Sequence, residues 1–336
     1  MTMLRRRSLA AALAAAPLLG LAACSGEQTA SGRSGGSDGG GGTSGSRVVD
    51  TVKGKVEIPA DPQRIVVLNY ALTGYLYDLG MTVVATTTEA ADAEGSFSEF
   101  WGTAPEENGT ELLSWSSDGF DLESVLGMEP DLIIAGGWGF PYFQADKAYT
   151  DLTAIAPTVM VDKALTTWRE QFSFLAEQVF DRKSTLDQLV QAYEDELAEV
   201  REAIALPPQP SSFLYVTAEG TPFVFFEEYV PEEFTALGFE VDPVASANSL
   251  EPYTEGGDSA ELSTENLGQL ITSPTVFISG FNQDTFSVQE LGEKAVWKDL
   301  PSFRAQDAYD LPYWASRHDY DEALALLDVL RGMFAK

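Results

Sequence analysis

The chain has 336 residues, with 20 basic and 52 acidic side chains, one histidine and one cysteine. The formal net charge of -32 argues against nucleic acid and anionic lipid as partners, because both would be repelled. A lone cysteine forms no internal disulfide, and the single histidine, His318, is too little for direct capture of zinc or manganese.

The first 23 residues are typical of an export signal. Three arginines, 5–7, precede an uncharged run, 8–23, that is too short to span a bilayer. Leu21-Ala22-Ala23 before Cys24 resembles the lipobox of bacterial lipoproteins, in which the cysteine becomes the first residue and carries lipid. The alternative is a chance thiol in an ordinary cleaved signal. The arginines fit both the general and the twin-arginine export signal, so the sequence does not decide between the two routes.

Residues 24–46 are predicted to form a lipidated cysteine followed by a flexible tether. Glycine and serine dominate this segment, and such a coil reaches roughly 25 Å. The body that follows, residues 47–336, exceeds a usual single core, so we expect two lobes. It contains no further apolar stretch long enough to cross a membrane, so the lipid would be the sole membrane attachment.

Short apolar runs alternate with helical patterns along the body. This succession predicts a parallel sheet in each lobe, with helices on both faces. A long amphipathic pattern, opened by Thr185 with Gln188 as a capping box, ends at Leu206-Pro207-Pro208 and is about 30 Å long. The predicted fold is α/β, with lobes 47–183 and 207–336 bridged by the helix 184–206. The predicted strands are 65–68, 81–86, 131–135, 158–161, 213–217, 223–226 and 275–279, and the last helix is 322–333.

Several phrases of the body occur in a recognisable order, and with the lipobox they resemble the iron-siderophore substrate-binding proteins of ABC importers. The phrases are GKVEIPADPQRIVVLNY (54–70), EPDLIIAG (129–136), WREQFSFLAEQV (168–179), LSTENLGQL (262–270) and VWKDLPSFRAQDAYDLPYW (296–314). The resemblance covers nearly the whole body. It implies the fold class of the ferrichrome and vitamin B12 receptors, a monomer with limited closure, a ligand in the interlobe cleft, and a permease and its ATPase as partners.

Aromatic and polar residues follow the predicted strands, where ligands of open parallel sheets bind. Tyrosine and tryptophan offer apolar faces with a polar tip, which suits a large ligand of mixed surface. Each ring could instead simply pack the lobes. The predicted ligand-binding residues are Asn69, Tyr70, Trp138, Phe140, Tyr142, Phe226, Glu227, Tyr229, Phe281, Trp314 and Arg317.

The charge of these loops favours a hydroxamate siderophore. They carry Glu227, Glu228 and Asp284, and Lys147, Arg169 and Arg317 are the nearby bases. A strongly anionic ferric catecholate or citrate would be repelled, whereas a neutral tris-hydroxamate, or one with a free ammonium, suits aromatic walls. Haem and cobalamin are the alternatives, because flat bulky ligands also favour such walls.

An exported hydrolase is the remaining, less favoured class. The predicted body has no G-x-S-x-G turn, the chain has no H-E-x-x-H, and its sole cysteine lies in the signal, so we expect no catalytic residues, no cofactor and no resident metal. The resemblance also implies that one acid on each lobe enters an arginine-lined pocket of the permease. These acids match Asp146 and Glu232.

Overall fold

The computed structural model describes residues 45–137, 139–254, 257–281, 283–316 and 319–336. Cys24, the signal and nearly all of the predicted tether lie outside these residues, as do Trp138, Arg317 and His318. From Gly45 onward the described chain belongs to one compact unit. Within it, no helix is long and apolar enough to cross a membrane.

The described residues of the N-terminal lobe form nine strands and five α-helices, besides short 3-10 and π-helical turns. In chain order they are β1 (Ser46–Thr51), β2 (Gly54–Pro59), β3 (Ile65–Val67), α1 (Thr73–Asp78), β4 (Val83–Thr87), α2 (Ala104–Asn108), β5 (Glu111–Leu113), β6 (Trp115–Ser116), β7 (Gly119–Phe120), α3 (Leu122–Gly127), β8 (Leu132–Gly136), α4 (Phe140–Ile155), β9 (Thr158–Val161) and α5 (Trp168–Ser173).

The main sheet of this lobe is parallel throughout, in the order β5-β4-β3-β8-β9. Strands β3 and β8 are completely buried, as expected for apolar runs covered on both faces. The antiparallel hairpin of β1 and β2 packs beside β9 and was not predicted from the sequence. This lobe therefore confirms the predicted parallel sheet and adds a hairpin at its edge.

The bridging helix α6 (Lys183–Ala203) lies where it was predicted, but its start differs. The expected cap at Thr185 is wrong, because the helix begins two residues earlier, after Arg182, without a side-chain cap. The Thr185 amide donates instead to the Arg182 carbonyl, at 2.9 Å. The apolar face is buried as the periodicity predicted, at Leu186, Tyr193, Leu197 and Val200.

In the C-terminal lobe the described residues form five strands and seven α-helices, besides two 3-10 turns. They are β10 (Ser211–Val216), β11 (Pro222–Phe225), α7 (Glu232–Leu237), α8 (Val244–Ala247), β12 (Ser259–Glu261), α9 (Thr264–Leu270), β13 (Thr275–Gly280), α10 (Val288–Gly292), α11 (Ala295–Lys298), α12 (Pro301–Ala305), β14 (Ala308–Asp310) and α13 (Tyr320–Phe334).

The sheet of this lobe is mixed, in the order β12-β11-β10-β13-β14. Strands β10, β13 and β14 run parallel, but β11 and β12 are antiparallel to their neighbours. The predicted parallel-sheet lobe is confirmed for β10, β13 and β14, with antiparallel strands added at one edge. The turn closed between Thr217 and Thr221, with Gly220 at a φ of 87°, returns the chain directly to the neighbouring position, which gives an antiparallel pair.

Helix α13 packs against the bridging helix α6 between the two lobes, so a helical layer lies between the two sheets. A single core cluster runs from Phe172 of α5 through Tyr193 of α6 to Phe277 of β13 and Phe334 of α13. Because both sheets pack on this layer, separating the lobes would expose a continuous apolar core.

The first turn of α13 also contacts a loop of the N-terminal lobe. Trp101 Nε1 donates to Asp319 Oδ2 at 2.9 Å, and Ser98 Oγ donates to Glu322 Oε1 at 3.0 Å. Gly74 of α1 lies beneath this contact, where a Cβ atom would come within 1.6 Å of Asp319 Oδ2. Only glycine therefore lets α1 approach the start of α13.

Candidate ligand cleft

A cavity of about 380 Å³ opens between the lobes at the carboxyl ends of β3 and β8. Both lobes supply its walls, which is where an open parallel sheet places a ligand. Its lining residues are Asn69, Tyr70, Ala71, Glu89, Ala90, Ala91, Trp115, Gly139, Phe140, Pro141, Gln171, Tyr253, Thr254, Asp258 and Phe281. We call it the main cavity.

A second cavity of about 620 Å³ continues from the main cavity. The two share Tyr70, Glu89, Ala90 and Phe281, so they form one cleft. Trp314 lines the second cavity, where its ring makes an edge contact of 4.9 Å with Phe100. The structure thus brings five residues of the predicted set to the cleft: Asn69, Tyr70, Phe140, Phe281 and Trp314.

Aromatic rings form the apolar part of the main cavity. Trp115 lies 5.9 Å from Phe140, ring centre to ring centre, and its Nε1 donates to the Thr88 carbonyl at 2.8 Å. On the opposite lobe, Tyr253 makes an edge contact of 5.9 Å with Phe281. Tyr253 is 41% exposed, which leaves a large aromatic surface available to a ligand.

Asn69 fixes the loop that carries Tyr70. Its amide nitrogen donates to the Gly136 carbonyl at 2.7 Å, and its Oδ1 accepts from the Ala71 amide at 3.1 Å. Tyr70 in turn donates to the Ser96 carbonyl, and burial together with the charge of Glu89 raises the pKa of its phenol. Asn69 therefore acts first as a connection between the ends of β3 and β8.

Acidic side chains dominate the charge of the cleft. Glu89 and Asp258 line the main cavity, and Glu94, Glu99, Asp284 and Glu322 line the second. Among the described lining residues there is no lysine or arginine. Burial and the charge of Glu89 raise the pKa of Tyr313 to about 12, as expected for a phenol among acids.

Two of the bases predicted near the ligand have other partners. Lys147 donates to the Asp118 carbonyl at 3.2 Å. Arg169 pairs with Glu194 and Glu232 and stacks on the rings of Trp168 and Tyr193. Neither base lines the two cavities, and Arg317 lies outside the described residues.

Four of the predicted ligand residues do not line the two cavities. Tyr142 is only 7% exposed and packs in the N-terminal core, because α4 begins at Phe140 and turns Tyr142 inward. Phe226 packs on the C-terminal core, and Glu227 accepts hydrogen bonds from Ser246. Tyr229 lines an adjoining crevice beside α5.

The sequence prediction missed other lining residues. Trp115 follows strand β5 and could have been found by the rule that selected Tyr70, had that short strand been recognised. Tyr253 lies in a loop, Asp258 directly before a strand, and Gln171 on a helix. None of them follows the end of a strand, so the rule that ligands bind after strand ends, here called the strand-end rule, does not select them. Their position depends on contacts between distant parts of the chain.

The two acids predicted to contact a permease are both ion-paired. Asp146 of α4 lies 2.6 Å from Lys53 Nζ, in the turn of the β1–β2 hairpin, and this hydrogen bond raises the pKa of Lys53. Glu232, the first residue of α7, lies 2.7 Å from Arg169 Nε. Within the described chain no group of three histidine, cysteine or acidic residues could hold a metal ion.

Two α/β lobes on a shared helical layer, with an aromatic cleft between them, define a two-lobed solute-binding protein. The chain belongs to the periplasmic binding protein family, which matches residues 65–313. It is thus a binding protein and not an enzyme, and the predicted fold of two α/β lobes joined by a helix, the class III fold of such proteins, is confirmed.

Individual relatives span nearly the same length. The ferric enterobactin-binding periplasmic protein FepB of Escherichia coli is 26% identical over 296 residues, covering 86% of this chain and 91% of FepB. The putative ABC transporter substrate-binding lipoprotein YhfQ of Bacillus subtilis is 24% identical over 300 residues, covering 83% of this chain and 85% of YhfQ. The crystal structure of holo-ViuP has a TM-score of 0.72 and 24% identity, covering 86% of this chain and 95% of ViuP.

Proposed function

We propose that this protein captures a ferric siderophore in the interlobe cleft outside the cytoplasmic membrane and delivers it to an ABC permease and its ATPase. The relative named for ferric enterobactin and the relative named as an ABC transporter lipoprotein support the ligand class and the partner. The aromatic and acidic lining of the main cavity is the observation that carries the proposal.

The charge of that lining favours a hydroxamate siderophore. Ferric catecholates are strongly anionic, and Glu89 and Asp258 in the cavity wall would repel them at short range. A ferric tris-hydroxamate has an uncharged chelate, so it avoids this repulsion and still gains contact with aromatic faces. The proposed ligand therefore differs from the one for which FepB is named.

The proposed contacts come from both lobes. Asn69, Tyr70 and Phe140 contribute from the N-terminal lobe, and Phe281 and Trp314 from the C-terminal lobe. Trp115 and Tyr253 are added to this set because their side chains line the main cavity. Trp138 and Arg317 stay predictions from the sequence.

Fluorescence titration of the purified protein tests the ligand class, since Trp115 and Trp314 line the cleft. We expect saturable quenching by ferrioxamine and ferrichrome. Saturable binding of only ferric enterobactin or ferric citrate would contradict the hydroxamate preference. Binding of haem or cobalamin in place of these siderophores would contradict the proposed ligand class. Hydrolysis of a chromogenic ester would contradict the proposed binding function.

We further propose that a lipid on Cys24 holds the protein at the membrane. Support comes from the lipobox and from the relative named as a lipoprotein. Replacing Cys24 with alanine should release the protein or leave its precursor uncut, which fractionation and an antibody blot would show. A Cys24→Ala variant that is processed normally and stays at the membrane would contradict the anchor.

We also propose Asp146 and Glu232 as permease contacts, one on each lobe. Rim charges govern association with a partner more than they govern folding. Since each acid already has a basic partner, the arginines of a permease would have to compete with Lys53 and Arg169 for them.

A further inference from the structure

Asp258 combines burial with a position on the main cavity. It directly precedes β12 and is only 3% exposed, yet it belongs to the cavity wall. Its carbonyl accepts from the Phe226 amide at 2.9 Å, which fixes the backbone at this point. Asp258 is thus a fixed, buried residue of the cavity wall and not part of an exposed loop.

The partners of this carboxylate are neutral hydroxyl groups. Tyr215 donates to Oδ2 at 3.4 Å, and Ser259 donates to Oδ1 at 3.0 Å. Within the part of the chain that the structure describes, no lysine or arginine forms an ion pair with Asp258. Two hydroxyl hydrogen bonds compensate only part of the cost of burying a charge, and a carboxylate can accept about four.

The surroundings strengthen the negative field at Asp258. Glu89 lines the same cavity from the other lobe, so a ligand between the lobes would face a carboxylate on each side. Burial raises the pKa of the Tyr229 phenol in the adjoining crevice, and the charges of Glu228 and Asp258 add to this effect. A positive group on the ligand would be stabilised here, because a charge-assisted hydrogen bond to a buried carboxylate is stronger than one formed in bulk water.

We propose that Asp258 is the subsite for an alkylammonium group of the ligand, so that the preferred cargo is a ferric hydroxamate with a net positive charge. This assignment rests on the proposed function and narrows it to a cationic complex. Asp258 fixes specificity through charge, while the aromatic walls hold the uncharged chelate.

Calorimetric titration with two ligands tests this assignment. Ferrioxamine B carries a free ammonium, and its N-acetyl derivative has the same ferric chelate without the charge. We expect the wild-type protein to bind ferrioxamine B roughly tenfold more tightly than the acetylated complex, the size expected for one charged hydrogen bond. Asp258→Asn, which still accepts from Tyr215, should bind both complexes equally.

Glu261→Gln is the matched control, because Glu261 is an exposed acid of the same strand, β12, and lines neither cavity. It should keep the preference for ferrioxamine B, and both variants should melt as the wild type does. Equal binding of the two complexes by wild type, or a preference that survives in Asp258→Asn, would contradict the subsite but leave the siderophore function intact. Failure of every ferric complex to bind would contradict the proposed function and the subsite with it.

Discussion

Tyr142 and Tyr253 are both tyrosines near the cleft, but the structure gives them opposite surroundings. Tyr142 packs edge-on against Phe143 at 5.7 Å and lies under Lys163 in the N-terminal lobe. Tyr253 stands on a loop and presents its ring to the main cavity. The position of Tyr142 along helix α4 turns its side chain into the core, whereas the conformation of its loop exposes the side chain of Tyr253.

The predictability of the ligand residues follows from this difference. Tyr70 and Phe281 come directly after buried strands, so the strand-end rule finds them. Tyr142 lies two residues into a helix, and its direction depends on where that helix begins. No local pattern around Tyr253 indicates that its loop reaches the cavity.

Alanine substitutions at these two tyrosines should have separate effects. Tyr253→Ala should weaken siderophore binding by about 1 to 3 kcal/mol with little change in stability, because an exposed ring at a binding site is lost. Tyr142→Ala should lower the free energy of unfolding by about 3 kcal/mol through a core cavity. Siderophore titration measures the affinity of each variant, and urea unfolding measures its stability. A stability loss in Tyr253→Ala at normal affinity would assign that ring to packing.

The start of α13 shows what one element contributes beyond its own lobe. Asp319 and Glu322 form a capping box, and both also accept hydrogen bonds from the N-terminal lobe. The periodicity predicted a helix over 322–333, close to the observed Tyr320–Phe334. Its contact with the other lobe depends on Ser98 and Trp101, which precede it by more than two hundred residues. No pattern in the sequence near α13 predicts this contact.

Glu322 should make stability fall with rising pH. Burial and the nearby Asp319 raise the pKa of its carboxyl well above the ordinary value, so the folded state holds this proton more tightly than the unfolded chain. Its stabilising effect is present below about pH 4.3, the unfolded pKa, and is lost as pH rises through the folded pKa. Glu322→Gln should flatten this decline in urea unfolding, and an unchanged slope would contradict the account.

Glu290 provides a matched control for Glu322. It occupies the same position in the capping box of α10, but it is exposed, and hydrogen bonds from Ser287 lower its pKa. The contribution of Glu290 to folding stability is therefore present above its unfolded pKa and is lost as the pH falls through its lowered folded pKa. Glu290→Gln should leave the decline toward neutral pH unchanged.

At the scale of the whole molecule, two sheets share one helical layer. The alternation of strands and helices and the length of α6 predict two α/β lobes and a bridge. The sequence did not indicate that α13 joins the bridge, or that β11 and β12 run antiparallel. Both features depend on contacts between segments far apart in the chain. The shared core explains in physical terms the limited closure that the resemblance implies.

Charge reversal of the two proposed contact acids should separate delivery from capture. Asp146→Lys combined with Glu232→Lys should abolish siderophore-dependent growth under iron limitation, since rim charges govern association, while siderophore affinity stays within about twofold. Asp50→Lys combined with Asp187→Lys is the control, because both acids are also paired surface groups. Normal growth of the first double variant would place the permease contact elsewhere.

The central claim is that the interlobe cleft holds a ferric siderophore. A crystal of the protein grown with ferrioxamine B and measured at the iron absorption edge would locate the metal directly by its anomalous scattering. We predict one strong peak in the main cavity, between Tyr70 and Trp115 of one lobe and Phe281 of the other. An iron peak outside the interlobe cleft, with both cavities free of siderophore, would contradict the account.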